Sequence, residues 1–162
     1  MNDALTDRVA PQGLTAYQQR TIKAALNAMQ GAMTAHGPAM ASPGLVKDYL
    51  RLQLAREDVE VFAVLFLDAR HKLIEYRAMF RGTLTQTAVY PREVVRAALL
   101  LNAAAIVISH NHPSGVAEPS VADRALTTAI RAAAGLMEIA VLDHLIVAGT
   151  DVLSFAERGW MP

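Results

Sequence analysis

The chain has no cysteine. Disulfides, thiol nucleophiles and Cys-ligated zinc are therefore excluded, and any metal site must use imidazole and carboxylate. No apolar run approaches the roughly 20 residues of a membrane span. The segment from Met1 to Gly13 is polar and lacks the apolar centre of a signal peptide. Net charge is also missing, with 15 Lys+Arg against 15 Asp+Glu. A sequence-blind grip on nucleic acid works by neutralising phosphates, and this balance gives it no support. A local basic patch stays open, because Arg77, Arg81, Arg92 and Arg96 are close in sequence. Internal repeats and low-complexity tracts are absent too. The expectation is a soluble cytoplasmic protein that does not meet a membrane.

What is present is enough for one domain. The chain has 162 residues, 53% of them hydrophobic, and can bury a sizeable core. After a loose leader over 1–13, Thr15 and Gln18 have capping-box spacing. Ile22, Leu26, Met29 and Met33 keep a helical period and read as a buried stripe. Residues 36–44 read as a connector, with Ser42 as a cap and Pro43 in the first turn of a second helix to about Leu54. The run 60–67 is apolar at both parities, so it predicts a strand covered on both faces. Asp68 to His71 turns into a second strand over about 72–80, making a hairpin. A short extended piece is expected near 87–89. Pro91 opens a helix over about 91–102 with Val94, Val95, Ala98 and Leu99 inward. A buried strand over 104–109 leads to His110, a helix runs from Ser120 to about Gly135, and strands follow at about 138–147 and 151–155. The order αα-ββ-α-β-α-ββ predicts an α/β (α+β) fold, a mixed β-sheet flanked by helices.

The chemistry concentrates in one stretch, His110-Asn111-His112-Pro113-Ser114-Gly115 followed by Pro119-Ser120 and Asp123. Two imidazoles separated by one residue can face the same way where a strand meets a loop. Asp123, one turn into a helix, can face the same point, and the helix dipole favours its ionised form by roughly 0.3–1 kcal/mol. Two nitrogens and one oxygen make a three-ligand zinc site with a fourth position open. Each residue also has a plain reading. A His-x-His pair is common in loops, Ser120 is a good N-cap, and Asp123 could simply complement the dipole. Asp143 and His144 form a second constellation that could orient a ligand imidazole. On a strand they point to opposite faces, so at most one can face the metal. His36 and His71 sit in polar turns and read as exposed.

The pattern His110-x-His112-x(7)-Ser120-x(2)-Asp123 resembles the signature of the JAB1/MPN (JAMM) metalloprotease fold, which is cytidine-deaminase-like. Pro91-Arg-Glu-Val94, Ser109-His-Asn-His-Pro-Ser-Gly115 and Asp143-His-Leu-Ile-Val147 narrow the likeness to the C-terminal domain of RadC-type proteins, over about 42–160. The resemblance implies that His110, His112 and Asp123 are zinc ligands and that Ser120 hydrogen-bonds the developing oxyanion or the metal-bound water. It also implies a Glu near the start of the first core strand as acid/base. Glu60 matches that place best, with Glu93 as its rival and Glu118 behind both. Residues 1–41 are then a leader and helix, and 42–162 the RadC-type domain. The pattern departs at Tyr90, where relatives often have His. It departs also in lacking the helix-hairpin-helix region that longer RadC-type proteins carry, which argues against direct DNA binding.

Three functions follow. The first is a zinc-dependent hydrolase of the metallopeptidase or isopeptidase kind, acting on a peptide or protein substrate. The second is a DNA-repair or recombination accessory whose metal site is structural or binding. The third is a nuclease, against which a single-metal ligand set argues mildly. The natural substrate and the oligomeric state are not written in the sequence.

Overall fold

A computed structural model describes residues 14–34, 43–82 and 88–162. The leader, His36, most of the 36–44 connector with its Ser42 cap, and the start of the extended piece near 87–89 lie outside the described residues. The described elements are α1 (Ala16–Thr34), α2 (Pro43–Leu54), β1 (Val61–Leu67), β2 (Leu73–Arg81), α3 (Pro91–Leu100), β3 (Ala105–Asn111), α4 (Val121–Gly135), β4 (Ala140–Ala148) and β5 (Asp151–Ser154). Their order is the one the hydrophobic pattern predicts.

The five strands form one mixed sheet in the order β2-β1-β3-β4-β5. β1 runs antiparallel to β2 and to β3, β3 parallel to β4, and β4 antiparallel to β5. Parallel neighbours need a crossover, and α4 supplies it between β3 and β4. Every residue of β1 is buried. The reason is visible in how its side chains divide. Ala63, Leu65 and Leu67 join Ala105, Val107 and the α2 residues Tyr49, Leu50 and Leu54 in one core. Phe62, Val64 and Phe66 join Ile106, Ile108 and residues of α3 and α4 in the other. The period of two thus sorts odd positions toward α2 and even positions toward α3 and α4. That parity decides which way His110 looks.

Two packing expectations are corrected. Leu99 is not inward: it is 52% exposed, while Ala97 is buried with Val94, Val95 and Ala98. At about 100° per residue, Leu99 lies roughly 140° round the helix from Val94, on the solvent side. The α1 stripe is half-buried, not buried, at Ile22, Leu26 and Met29; the Met33 side chain lies outside the described residues. Leu26 and Met29 pack from outside against the α2 core. The Thr15–Gln18 capping box does form, with Gln18 N–H donating to Thr15 Oγ1 at 3.2 Å and Thr15 N–H to Gln18 Oε1 at 2.9 Å.

The four arginines do not make a free basic patch. Arg77 pairs with Glu75, Arg81 with Glu57, and Arg92 and Arg96 both with Glu93. No described helix is long and apolar enough to cross a membrane.

Candidate metal centre

β3 runs two residues further than its apolar run suggests, because β4 keeps pairing with it. Asn111 stands opposite Val147, and His112 N–H donates to Val147 C=O at 2.8 Å. His110 therefore sits inside the strand, on the even face, and is buried. His112 is held at the strand end. Gly115 takes φ 77° to turn the chain, a left-handed value that glycine adopts freely, and its N–H closes back on His112 C=O at 3.0 Å.

Across from them, α4 opens with a capping box. Asp123 N–H donates to Ser120 Oγ at 3.1 Å, and Ser120 N–H donates to Asp123 Oδ2 at 2.7 Å. The Ser120 hydroxyl also donates to Asp123 Oδ2 at 2.7 Å. Ser120 is thus the N-cap of its plain reading, and it also anchors Oδ2 of the carboxylate, leaving Oδ1 to face His110.

The three candidate ligands converge. His110 Nε2 stands 2.9 Å from His112 Nε2 and 3.2 Å from Asp123 Oδ1, and His112 Nε2 is 3.7 Å from Asp123 Oδ2. Zinc bonds of about 2.0–2.1 Å at tetrahedral angles put ligand atoms roughly 3.3 Å apart, so the spacing suits an ion of that size. Among the described residues these three are the group able to hold a metal ion, with one donor atom from each lying within 4.8 Å of the others. His112 Nδ1 is 2.6 Å from Val116 C=O. A carbonyl can only accept, so His112 carries its proton on Nδ1 and turns a bare Nε2 inward.

The electrostatics agree. Burial pushes the Asp123 carboxyl up, but the neighbouring His110 and His112 imidazoles and the hydrogen bond it accepts from Ser120 win and hold it well below the usual carboxylate range. The Asp123 carboxylate beside it raises His112 above the ordinary imidazole value against the opposing effect of burial. The Asp123 carboxylate thus favours positive charge beside it, a place that a proton on His112 or a metal ion can take.

Glu60 arrives by register. β1 and β3 pair Phe62 with His110. Glu60 immediately precedes β1, as His112 immediately follows β3. Glu60 lines an open cleft together with His112, Ser114, Glu118, Ser120 and Asp123. Glu93 does not line that cleft: it sits in the first turn of α3, where it pairs with arginines.

Asp143 and His144 face opposite ways, as strand alternation predicts. Asp143 accepts from Ser154 Oγ at 2.5 Å and from Ala156 N–H at 2.9 Å, a structural role at the β4–β5 end. His144 is fully buried, and its Nε2 lies 2.9 Å from His110 Nδ1. Burial, then the neighbouring His110, pushes it well below the ordinary imidazole value. His71 is exposed in its turn.

Two contributors are absent from the sequence reading. Thr127 lies one helical turn after Asp123, and that i,i+4 spacing could have flagged it. Asn111 lies between the two histidines and points the other way. Its Oδ1 accepts from Val61 N–H at 2.7 Å, and its Nδ2 donates to Val59 C=O at 3.0 Å and Glu57 C=O at 3.2 Å. One buried amide therefore clamps the segment that carries Glu60. Asn111→Leu should lower unfolding free energy by roughly 2–4 kcal/mol, because it strands buried backbone groups. Urea denaturation checks this, and a wild-type midpoint would show that the clamp contributes little.

The fold and the His-x-His/Ser/Asp cluster define a JAB-type domain. Comparison with known proteins makes it specific. The family model described as RadC-like JAB domain matches residues 40–160, and the chain belongs to that family. It is 55% identical over 151 residues to a UPF0758 protein of Leptothrix cholodnii, covering 91% of this chain and 68% of that one. It is 62% identical over 125 residues to one from Methylibium petroleiphilum, and 59% over 119 residues to one from Dechloromonas aromatica. The matched spans cover 77% and 73% of this chain, but only 56% and 53% of those relatives.

Proposed function

We propose that this chain is a zinc-dependent hydrolase of the metallopeptidase or isopeptidase kind, with residues 42–162 as its catalytic unit and a peptide or protein as its substrate. The observation that carries the reading is the convergence of His110 Nε2, His112 Nε2 and an Asp123 oxygen at distances suited to one ion, beside a cleft open to solvent. A borderline nitrogen-and-oxygen donor set suits zinc.

When bound, zinc would supply a water acidic enough to lose its proton near neutral pH and would polarise the scissile carbonyl. The chain's own residues would do the rest. Glu60 would take the proton from the attacking water and return it to the leaving nitrogen. Ser120 holds Asp123 in place, and its hydroxyl lies at the cleft wall, where a rotation about χ1 would turn it toward a developing oxyanion.

Metal analysis of purified protein tests the ion: about one zinc per chain is expected from a three-residue ligand set with an open position. A chain that binds none at saturating zinc would remove the proposal. The competing reading, a DNA accessory, would show itself as DNA affinity that falls steeply with salt.

The pH dependence has a definite sign. In the metal-free protein the raised His112 contributes stability that is complete below the ordinary histidine value and is lost as pH rises through its folded value. The depressed Asp123 contributes stability above the ordinary carboxylate value and loses it as pH falls through its folded value. Zinc must displace the imidazole proton, so the rise in Tm on adding zinc should be larger in mildly alkaline buffer than at pH about 6. Calorimetry with and without zinc measures it, and an increment that shrinks with rising pH would contradict the ligand set.

A further inference from the structure

We infer that Thr127 and His144 are positioning residues for His110: they form a one-way hydrogen-bond chain that sets its tautomer and aims a bare Nε2 at His112 and Asp123. The inference deepens the metal-site reading given above, but its first test is independent of any metal.

The direction of the chain is forced from its far end. Thr127 Oγ1 is 2.6 Å from the backbone C=O of Asp123. A carbonyl cannot donate, so the only hydroxyl proton of Thr127 is committed there. Thr127 Oγ1 is also 2.6 Å from His144 Nδ1. With its proton already used, the oxygen must accept, and His144 must carry its hydrogen on Nδ1. His144 has no solvent exposure and packs against the Phe155 and Phe62 rings, at centroid distances of 4.7 Å and 6.3 Å. A ring so enclosed holds one hydrogen, not two, because a buried imidazolium without a carboxylate partner is costly. His144 Nε2 is therefore an acceptor, and the atom 2.9 Å away is His110 Nδ1. His110 must then donate from Nδ1 and leave Nε2 bare.

The other histidine is set separately, by Val116 C=O at 2.6 Å from His112 Nδ1. The result is two lone pairs 2.9 Å apart, with a carboxylate oxygen 3.2 Å from one of them. Such an arrangement repels itself unless a cation lies among the three. The chain starts at one candidate ligand, His110, and ends on the backbone of another, Asp123, so the hydrogen bonds that orient the imidazole also tie it to α4. A threonine bonding back to the i−4 carbonyl is common in helices. What it does not require is a buried histidine stacked between it and a candidate ligand.

The test uses 15N-labelled full chain. Long-range 1H–15N imidazole spectra of the metal-free wild type should show His110 and His144 with hydrogen on Nδ1. Thr127→Val removes the acceptor and should redistribute the His144 hydrogen to Nε2. The same variant should weaken zinc binding about 10- to 100-fold in a chelator competition, the usual effect of losing an outer partner of a ligand. Thr127→Ser, which keeps the hydroxyl, should restore both. Wild-type His110 or His144 protonated on Nε2 overturns the inference, and this holds even if the valine variant fails to fold. So does a valine variant with unchanged tautomers and unchanged zinc affinity. A wild type with the stated tautomers that binds no zinc would sink the hydrolase proposal, yet it would support the chain.

Discussion

His112→Ala and Asp123→Ala should each bring zinc content from about one ion per chain to near zero, the loss expected when a three-residue site gives up one of its ligands. The affinity change should exceed the roughly 10–100-fold produced by altering an outer partner. The two variants should differ in stability. His112 lies at the end of a strand and is partly exposed, so its truncation removes one bond to Val116 C=O and little packing. Asp123 is half of the α4 capping box, and its loss should also cost about 1 kcal/mol of helix capping. Elemental analysis after dialysis, with metal-free Tm alongside, separates the two effects. If both variants keep a full zinc complement, the ion sits elsewhere and the ligand assignment is wrong.

Glu60→Gln should keep the zinc and lose hydrolysis by about 10²- to 10⁴-fold, the contribution typical of a positioned acid/base. Glutamine preserves size and hydrogen bonding but cannot take up a proton. Glu60 is one of two glutamates that line the cleft, the other being Glu118. With Glu60 as the acid/base, Glu118→Gln should stay near wild type, and so should Glu93→Gln, because Glu93 is engaged with Arg92 and Arg96 on α3. Measured turnover of a peptide or isopeptide substrate, paired with zinc content, reads the outcome. An active Glu60→Gln enzyme would end the assignment of Glu60, and loss of activity in Glu118→Gln alone would move the role there.

Much of this architecture is legible one residue at a time. The continuous apolar run of β1 announces a strand buried on both faces, and Ser120 three residues before Asp123 announces a helix start. Both signals are local, set by backbone periodicity and capping geometry, and both are present in the structure. The opposite facings of Asp143 and His144 follow from strand alternation in the same way. Leu99 is misread because an apolar residue on the outer side of a helix looks the same in sequence as one on the inner side. Asn111 and Thr127 are not legible for a different reason. Their partners are 50 and 17 residues away, and beyond the i,i+4 spacing of Thr127 from Asp123 no local pattern marks an amide or hydroxyl that will be buried against a distant strand.

The sequence alone determined the element order, the absence of thiol chemistry, and the placing of two imidazoles and a carboxylate within fourteen residues of one another. Only the tertiary structure decided that their donor atoms meet. Sheet pairing turned the even face of β3 toward α4, and the pairing of β1 with β3 brought Glu60 and His112 to one cleft. These outcomes depend on which strands become neighbours, a choice made by the burial of both sheet faces together and not by any one segment.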